Sequence, residues 1–298
     1  MLKKNITILI LASFFYIFAV AAGGLNRHET KPLSEFKRSL VENGYEISYE
    51  VSVAGNNGIE IEFYSASGVS FKNVIHVAVF NDAKKSGARV SFDFSLHKPS
   101  ENAEKSGASL VINGGYFANV KDKIYSVGQV CKKGENFPFY IAHDQYPYFC
   151  VFETGVIDIL KSAEFNKING KKNKIRDFIQ TKPLLVYDSK ISPSLLKNEE
   201  AQNSKNPRSS IGLTSTGRII CVVAEGRNES CAGMTQVELA GLFVKLGASK
   251  AINLDGGGSS AIVLNGIIMN KLSGGLSPFT LPGHERPVHS VISFGGKK

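Results

Sequence analysis

"AINLDGGGSSAIVLNG" (residues 251–266) decides how this chain folds. An apolar run, Ala251 to Leu254, halts at a lone carboxylate, Asp255. Three glycines and two serines follow, then a second apolar run opens at Ala261. Gly256-x-Gly258-x-x-Ala261 has the spacing of a dinucleotide fingerprint, but that fingerprint must open a helix. Here the continuation is β-branched and ends in Asn265-Gly266, a hairpin turn. A phosphate loop needs Gly-Lys-Ser/Thr, and no lysine is present. A serine nucleophile elbow also needs a following helix. All three familiar meanings fail on context. The remaining reading is strand, glycine loop, strand, in which consecutive N–H groups converge on an anion or a sugar oxygen beside Asp255. A glycine bulge whose aspartate only caps a turn is the alternative for this segment taken alone.

The flanking sequence extends this pattern. Thr235 and Glu238 form a capping box, and Val237, Ala240, Leu242, Phe243 and Leu246 keep helical spacing up to Gly247. Before them, "SSIGLTSTGRIICVVAEG" (209–226) reads as a hairpin turning at Ser215-Thr216-Gly217. Strands dominate elsewhere: 45–53, 59–65, 74–80, 88–96, 109–117, several short ones between 125 and 160, 182–191 and 289–295. Short helices are expected over 32–43 and 99–108, and a loop with partial helix over 161–176. No repeat or linker divides the chain. The expectation is α+β, a single domain with a mixed, strand-rich β-sheet and a few helices.

The first residues, "MLKKNITILILASFFYIFAVAAGG", read as a secretory signal with Ala19-Val20-Ala21 before the cut. We place the signal at 1–22, an N-terminal extension at 23–58 and the main domain at 59–298. Membrane insertion is then transient, through the signal only, and the protein is exported, periplasmic or secreted; an uncleaved membrane anchor is the competing reading of the same run. An oxidising compartment favours disulfides, Cys131 with Cys150 and Cys221 with Cys231, each pair bracketing a strand-turn-strand unit. The 298 residues carry a net charge of +9, two lower once Lys3 and Lys4 leave with the signal. Such a charge suits phosphorylated glycans or a membrane surface. Nucleic acid is not expected: the densest basic stretch, "KKNKIR" (171–176), has no interleaved aromatics for base stacking.

Four further clusters lie at predicted strand ends, where sites gather. "INGGYF" (112–117) repeats the strand-to-glycine design. "NPRSSIGLT" (206–214) sets Arg208 where its fork could clamp a phosphate. "AEGRNESCAGMT" (224–235) offers Glu225 and Arg227, and "GHERPV" (283–288) offers His284, Glu285 and Arg286. His76, mid-strand, reads as a satisfied sheet residue, and His284 as a candidate for proton transfer.

"NGGYF", "NPRSSIGLT", "GRIICVVAEGR", "GMTQVELAGLFVKLGASKAINLDGGGSSAIVLNG" and "ERPV", in this order, resemble the phosphodiester glycosidase family. The resemblance covers about residues 60–296 and is strongest from 206 onward. It implies hydrolysis of a sugar–phosphate–alcohol diester at the anomeric bond, with a phosphorylated glycan or sugar-phosphate diester as substrate. It implies that Asn113, Gly114 and Tyr116 line a pocket and that Arg208 and Arg227 hold phosphate. Asp255, Gly256, Gly257 and Ser259 would form the floor, with Glu285 and Arg286 closing one wall. Asp255 and Glu285 are the expected working carboxylates. Glu225 is a third, standing where the family often has aspartate before Gly-Arg. No cofactor is required, although Ca²⁺ could bind through Asp255, Glu285 and backbone carbonyls. A metal-dependent phosphodiesterase cutting P–O, and a non-catalytic module binding phosphorylated glycans, remain as alternatives.

Overall fold

A computed structural model describes residues 34–55, 59–69, 72–141, 144–168, 175–273 and 283–296. The expected signal, most of the basic stretch 171–176 and His143 lie outside them. Glu35–Lys298 form one unit.

In chain order the elements are α1 (Glu35–Glu42), β1 (Tyr45–Gly55), β2 (Ile59–Gly68), β3 (Val74–Phe80), β4 (Arg89–His97) and α2 (Pro99–Ser106). There follow β5 (Leu110–Asn113), β6 (Phe117–Val120), β7 (Lys123–Val127), β8 (Val130–Lys132), β9 (Glu135–Phe137), β10 (Phe139–Ile141), β11 (Tyr148–Phe152) and β12 (Ile157–Leu160). Next are α3 (Ser162–Ile168), β13 (Ile175–Gln180), β14 (Leu184–Tyr187), β15 (Lys190–Ile191), α4 (Pro193–Leu196) and α5 (Glu199–Asn203). The chain ends with β16 (Arg208–Thr214), β17 (Ile219–Ala224), α6 (Gln236–Lys245), β18 (Ala248–Asn253), β19 (Ile262–Leu264), β20 (Ile267–Ile268) and β21 (Val288–Phe294).

An eight-stranded sheet, in the order β1-β2-β3-β17-β16-β18-β14-β15, forms the centre. Its two faces follow from strand alternation. In β2, Ile61 and Phe63 point to one core, while Tyr64 and Ala66 point to another. The second core lies under helices: Phe36 and Leu40 of α1, and Leu239, Leu242 and Phe243 of α6. Gly212 leaves room for that helix, since a Cβ there would come within 2.7 Å of the Phe243 ring. The first core is closed by two five-stranded sheets, β20-β19-β5-β21-β4 and β12-β11-β13-β8-β9. Phe80 of the central sheet meets Phe294 with ring centroids 4.6 Å apart. Each such buried ring contributes about 2–3 kcal/mol. The architecture is α+β, as expected. Pairing is antiparallel among the described strands except for β10 beside β7. The stretch read as an N-terminal extension supplies α1 and the edge strand β1, whose Gly55 pairs with Ile59.

Local signals hold where they were strong. Thr235 Oγ1 accepts from the Glu238 N–H at 3.0 Å and Glu238 Oε2 from the Thr235 N–H at 2.8 Å, completing the capping box. Asn265 and Gly266, at φ 48° and 81°, turn β19 into β20.

The disulfides are a correction. All four cysteines are free, buried thiols. Cys131 and Cys150 both face Phe178, one from each side of β13. They are thus two strand spacings apart, roughly 9–10 Å, beyond the ~7 Å limit for bridged Cα atoms. Cys221 lies inside β17, while the Cys231 thiol donates to the Glu225 carbonyl at 3.2 Å. Glu225 is four residue rises, about 13 Å of strand, beyond Cys221.

Candidate active site

β18 and β5 end side by side, and their glycine loops interlock. The Asn113 side chain, fully buried, bridges both ends of the opening stretch. Its Nδ2 donates to the Asp255 carbonyl at 2.7 Å, and its Oδ1 accepts from the Ala261 N–H at 3.1 Å. The Asp255 N–H donates to the Gly114 carbonyl at 3.0 Å, and the Gly114 N–H to the Ser290 carbonyl at 2.8 Å. Gly114 must lack a side chain: a Cβ would stand 2.4 Å from Ser290 Oγ and 2.9 Å from the Ser290 backbone. Gly256 is constrained in the same way, by the Pro207 carbonyl at 2.8 Å. Residues Gly257–Ser259 then make one 3₁₀ turn. This close interlock is what the glycines are for.

Asp255 stands on that floor. Its Oδ1 accepts from the Gly256 N–H at 2.9 Å, and the Ser259 hydroxyl also bonds to it. Burial pushes its carboxyl up from 3.8 to about 6, against the opposing effects of Ser259, Arg286, the Gly256 N–H and Arg227. Arg286 Nη1 reaches Ser259 Oγ at 3.4 Å, and the guanidinium lies 5.0 Å over the Phe117 ring. Arg227 is exposed, in left-handed backbone at φ 58°. It donates twice to Asn206 Oδ1, at 3.2 and 2.8 Å, and covers Gly257. Arg208, buried at the start of β16, donates to the Met234 and Ser204 carbonyls at 3.0 and 2.7 Å. Among the described residues it forms no ion pair with a carboxylate. Burial lowers its pKa, and Tyr116 opposes that shift. The Tyr116 hydroxyl is held protonated by burial and by Asp255, and it accepts from Asn253 Nδ2 at 2.8 Å.

The structure therefore gathers Asn113, Gly114, Tyr116, Arg227, Asp255, Gly256, Gly257, Ser259 and Arg286 around one loop, with Arg208 coupled to Tyr116. The other two carboxylates make their hydrogen bonds elsewhere. Glu285 turns to the start of α2, where Oε1 accepts from the Ser100 N–H at 2.7 Å and Oε2 from the Ser100 hydroxyl. Glu225 is buried against His76 Nε2 at 2.8 Å and the Lys271 N–H at 2.7 Å. His284 is exposed next to Glu285 in the chain. Among the described residues no three His, Cys, Asp or Glu side chains converge to hold a metal ion. Four residues with structural roles here were not foreseen: Asn206, Asn253, Asn270 and Ser290. Asn253 could have been found, as the one polar side chain inside the apolar run 251–254.

A family model described as phosphodiester glycosidase matches residues 106–294. Among solved structures, the catalytic domain of zebrafish N-acetylglucosamine-1-phosphodiester alpha-N-acetylglucosaminidase, auto-inhibited by its pro-peptide, superposes with a TM-score of 0.62. It is 18% identical, over 91% of this chain and 86% of that one. A putative exported protein of Burkholderia pseudomallei K96243 gives a TM-score of 0.54 at 14% identity, over 74% of each chain. A curated relative, the SPbeta prophage-derived uncharacterized protein YomE of Bacillus subtilis (strain 168), is 35% identical over 92 residues. Those are 31% of this chain but only 14% of that protein. With the family model covering more than half of its length, the chain belongs to the phosphodiester glycosidase family.

Proposed function

We propose that the protein is an exported hydrolase that cleaves a sugar-1-phosphodiester at its anomeric C–O bond, on envelope or extracellular glycans. The observation that carries this reading is one carboxylate, Asp255, fixed on a stapled glycine loop with Arg227 and Arg286 close enough to oppose its raised pKa. Arg208, Arg227 and Arg286 bind the diester phosphate, and the net charge of +9 favours an anionic substrate. Breaking the anomeric bond builds positive charge on the sugar, which ionised Asp255 stabilises. The departing phosphomonoester is already a weak base, so it leaves without a strong proton donor. Its developing charge falls on the arginines. Tyr116, protonated and held by Asn253, lines the sugar side.

Hydrolysis of a panel of sugar-1-phosphodiesters in ¹⁸O-water tests the reading. Label in the released sugar is the expected result. Label in the phosphate would overturn it in favour of P–O cleavage. Tight binding without turnover across the panel would favour a glycan-binding module.

A further inference from the structure

Glu225 follows β17, and the residues that hold it form a relay across the central sheet. His76 of β3 lies opposite Ser65 of β2 on one side and Val223 of β17 on the other. Its Nδ1 is 2.9 Å from Ser65 Oγ, and its Nε2 is 2.8 Å from Glu225 Oε1. The same Oε1 accepts from the Lys271 N–H at 2.7 Å. Just before Lys271, the Asn270 side chain grips the far end of the glycine loop. It accepts from the Ile262 N–H at 2.9 Å and donates to the Ser260 carbonyl at 3.0 Å. Just after it, the Ser273 hydroxyl donates to the Gly257 carbonyl at 3.1 Å. Residues 270–273 thus splint the loop that carries Asp255, and Glu225 ties the splint to the sheet.

We propose that Glu225 is a positioning residue and not a reacting carboxylate, and that His76 and Ser65 complete it as the anchor of the floor beneath Asp255. The inference rests on the reading of Asp255 as the reacting group. Serine, histidine and glutamate in a row have the order of a hydrolytic triad. Yet Ser65, His76 and Glu225 are only 8%, 4% and 8% exposed, and the carboxylate's other bond goes to a backbone N–H. The carboxylate, an acceptor only, takes the Nε2 proton, and the Ser65 hydroxyl pairs with Nδ1, so the ring is held from both sides. Every donor in the row then has an acceptor, and the row ends on the splint.

The test needs no substrate. Amide hydrogen exchange is followed in the full chain for wild type, Glu225→Ala and Glu225→Gln. Glutamine keeps an oxygen that can accept from both His76 and Lys271, so Glu225→Gln retains wild-type protection at Ser260, Ile262 and Lys271. Glu225→Ala speeds exchange there by roughly tenfold or more while α6 stays protected. Equal loosening in both variants, or none in either, overturns the proposal. Should Glu225→Ala lose protection in α6 as well, imidazole ¹⁵N shifts of the wild type decide: a protonated Nε2 supports the relay, and an unprotonated Nε2 overturns it. On any sugar-1-phosphodiester that the wild type cleaves, Glu225→Gln rescues turnover that Glu225→Ala loses. A thousandfold loss in Glu225→Gln would make Glu225 a reacting group. If no diester is cleaved, the exchange result still stands, so failure of the hydrolase reading is seen separately.

Discussion

Replacing Asp255 with asparagine is expected to stabilise the fold at neutral pH and leave it unchanged in acid. Burial raises the folded-state carboxyl from 3.8 to about 6. A difference of this size means that ionisation costs about 3 kcal/mol more in the folded chain than in the unfolded one. Between these two values the folded chain keeps a proton that the unfolded chain releases. Stability from this group is therefore full below pH ~4 and is lost as pH rises through ~6. Asparagine carries no charge to lose, and its side-chain oxygen can still accept from the Gly256 N–H, the bond made by Oδ1 at 2.9 Å. Urea unfolding of both proteins from pH 4 to 8 should show a difference near zero at the acid end. By pH 7.5 the variant should be about 3 kcal/mol more stable. A difference that stays flat over this range, or that grows toward acid, would refute the assignment of a strained, ionised carboxylate. The same variant should lose at least about a thousandfold in turnover, because the charge that weakens the fold is the one that the reaction uses.

Turnover controlled by Asp255 alone should rise with pH around 6 and then level off, as the carboxylate forms; a fall through that region would instead make it a proton donor. Arg227→Ala, at an exposed residue, should shift stability by less than about 0.5 kcal/mol yet weaken inhibition by a phosphomonoester at least about tenfold, read by competition. Gly114→Ala should cost more than about 3 kcal/mol, because its Cβ meets the Ser290 backbone at 2.9 Å. Gly241→Ala, in α6 with nothing within 4 Å, should instead gain about 0.5–1 kcal/mol in the same unfolding assay. A thiol reagent should find all four cysteines in denaturant without reductant, and few or none in the native protein.

What the sequence made legible was local. The Thr235 capping box, the Asn265-Gly266 turn and the strand–glycine loop–strand reading of 251–266 each depend on residues a few positions apart. The arginines and the NGGY segment could be assigned to one site through the resemblance, and the fold does gather them there. Pairings across the chain were not legible. Glu285 was expected as a working carboxylate closing one wall of the pocket; that its oxygens bond to Ser100, 185 residues away in sequence, could not be read. Register explains the cysteines: only pairing through Phe178 shows that Cys131 and Cys150 lie on alternate strands and not on neighbouring ones. Glu225 was recognised as significant, but its role depends on His76, whose partners lie on β2 and just past β17 and could not be read from its own strand.

The amide of Asn113 grips both ends of a seven-residue arc, so the arc behaves as a closed ring. A ligand arriving at such a ring finds its contacts already in place and spends none of its binding energy on freezing chain motion there. Small, rigid mimics of a sugar phosphate should consequently bind well for their size, and enlarging them to wrap the arc should add little.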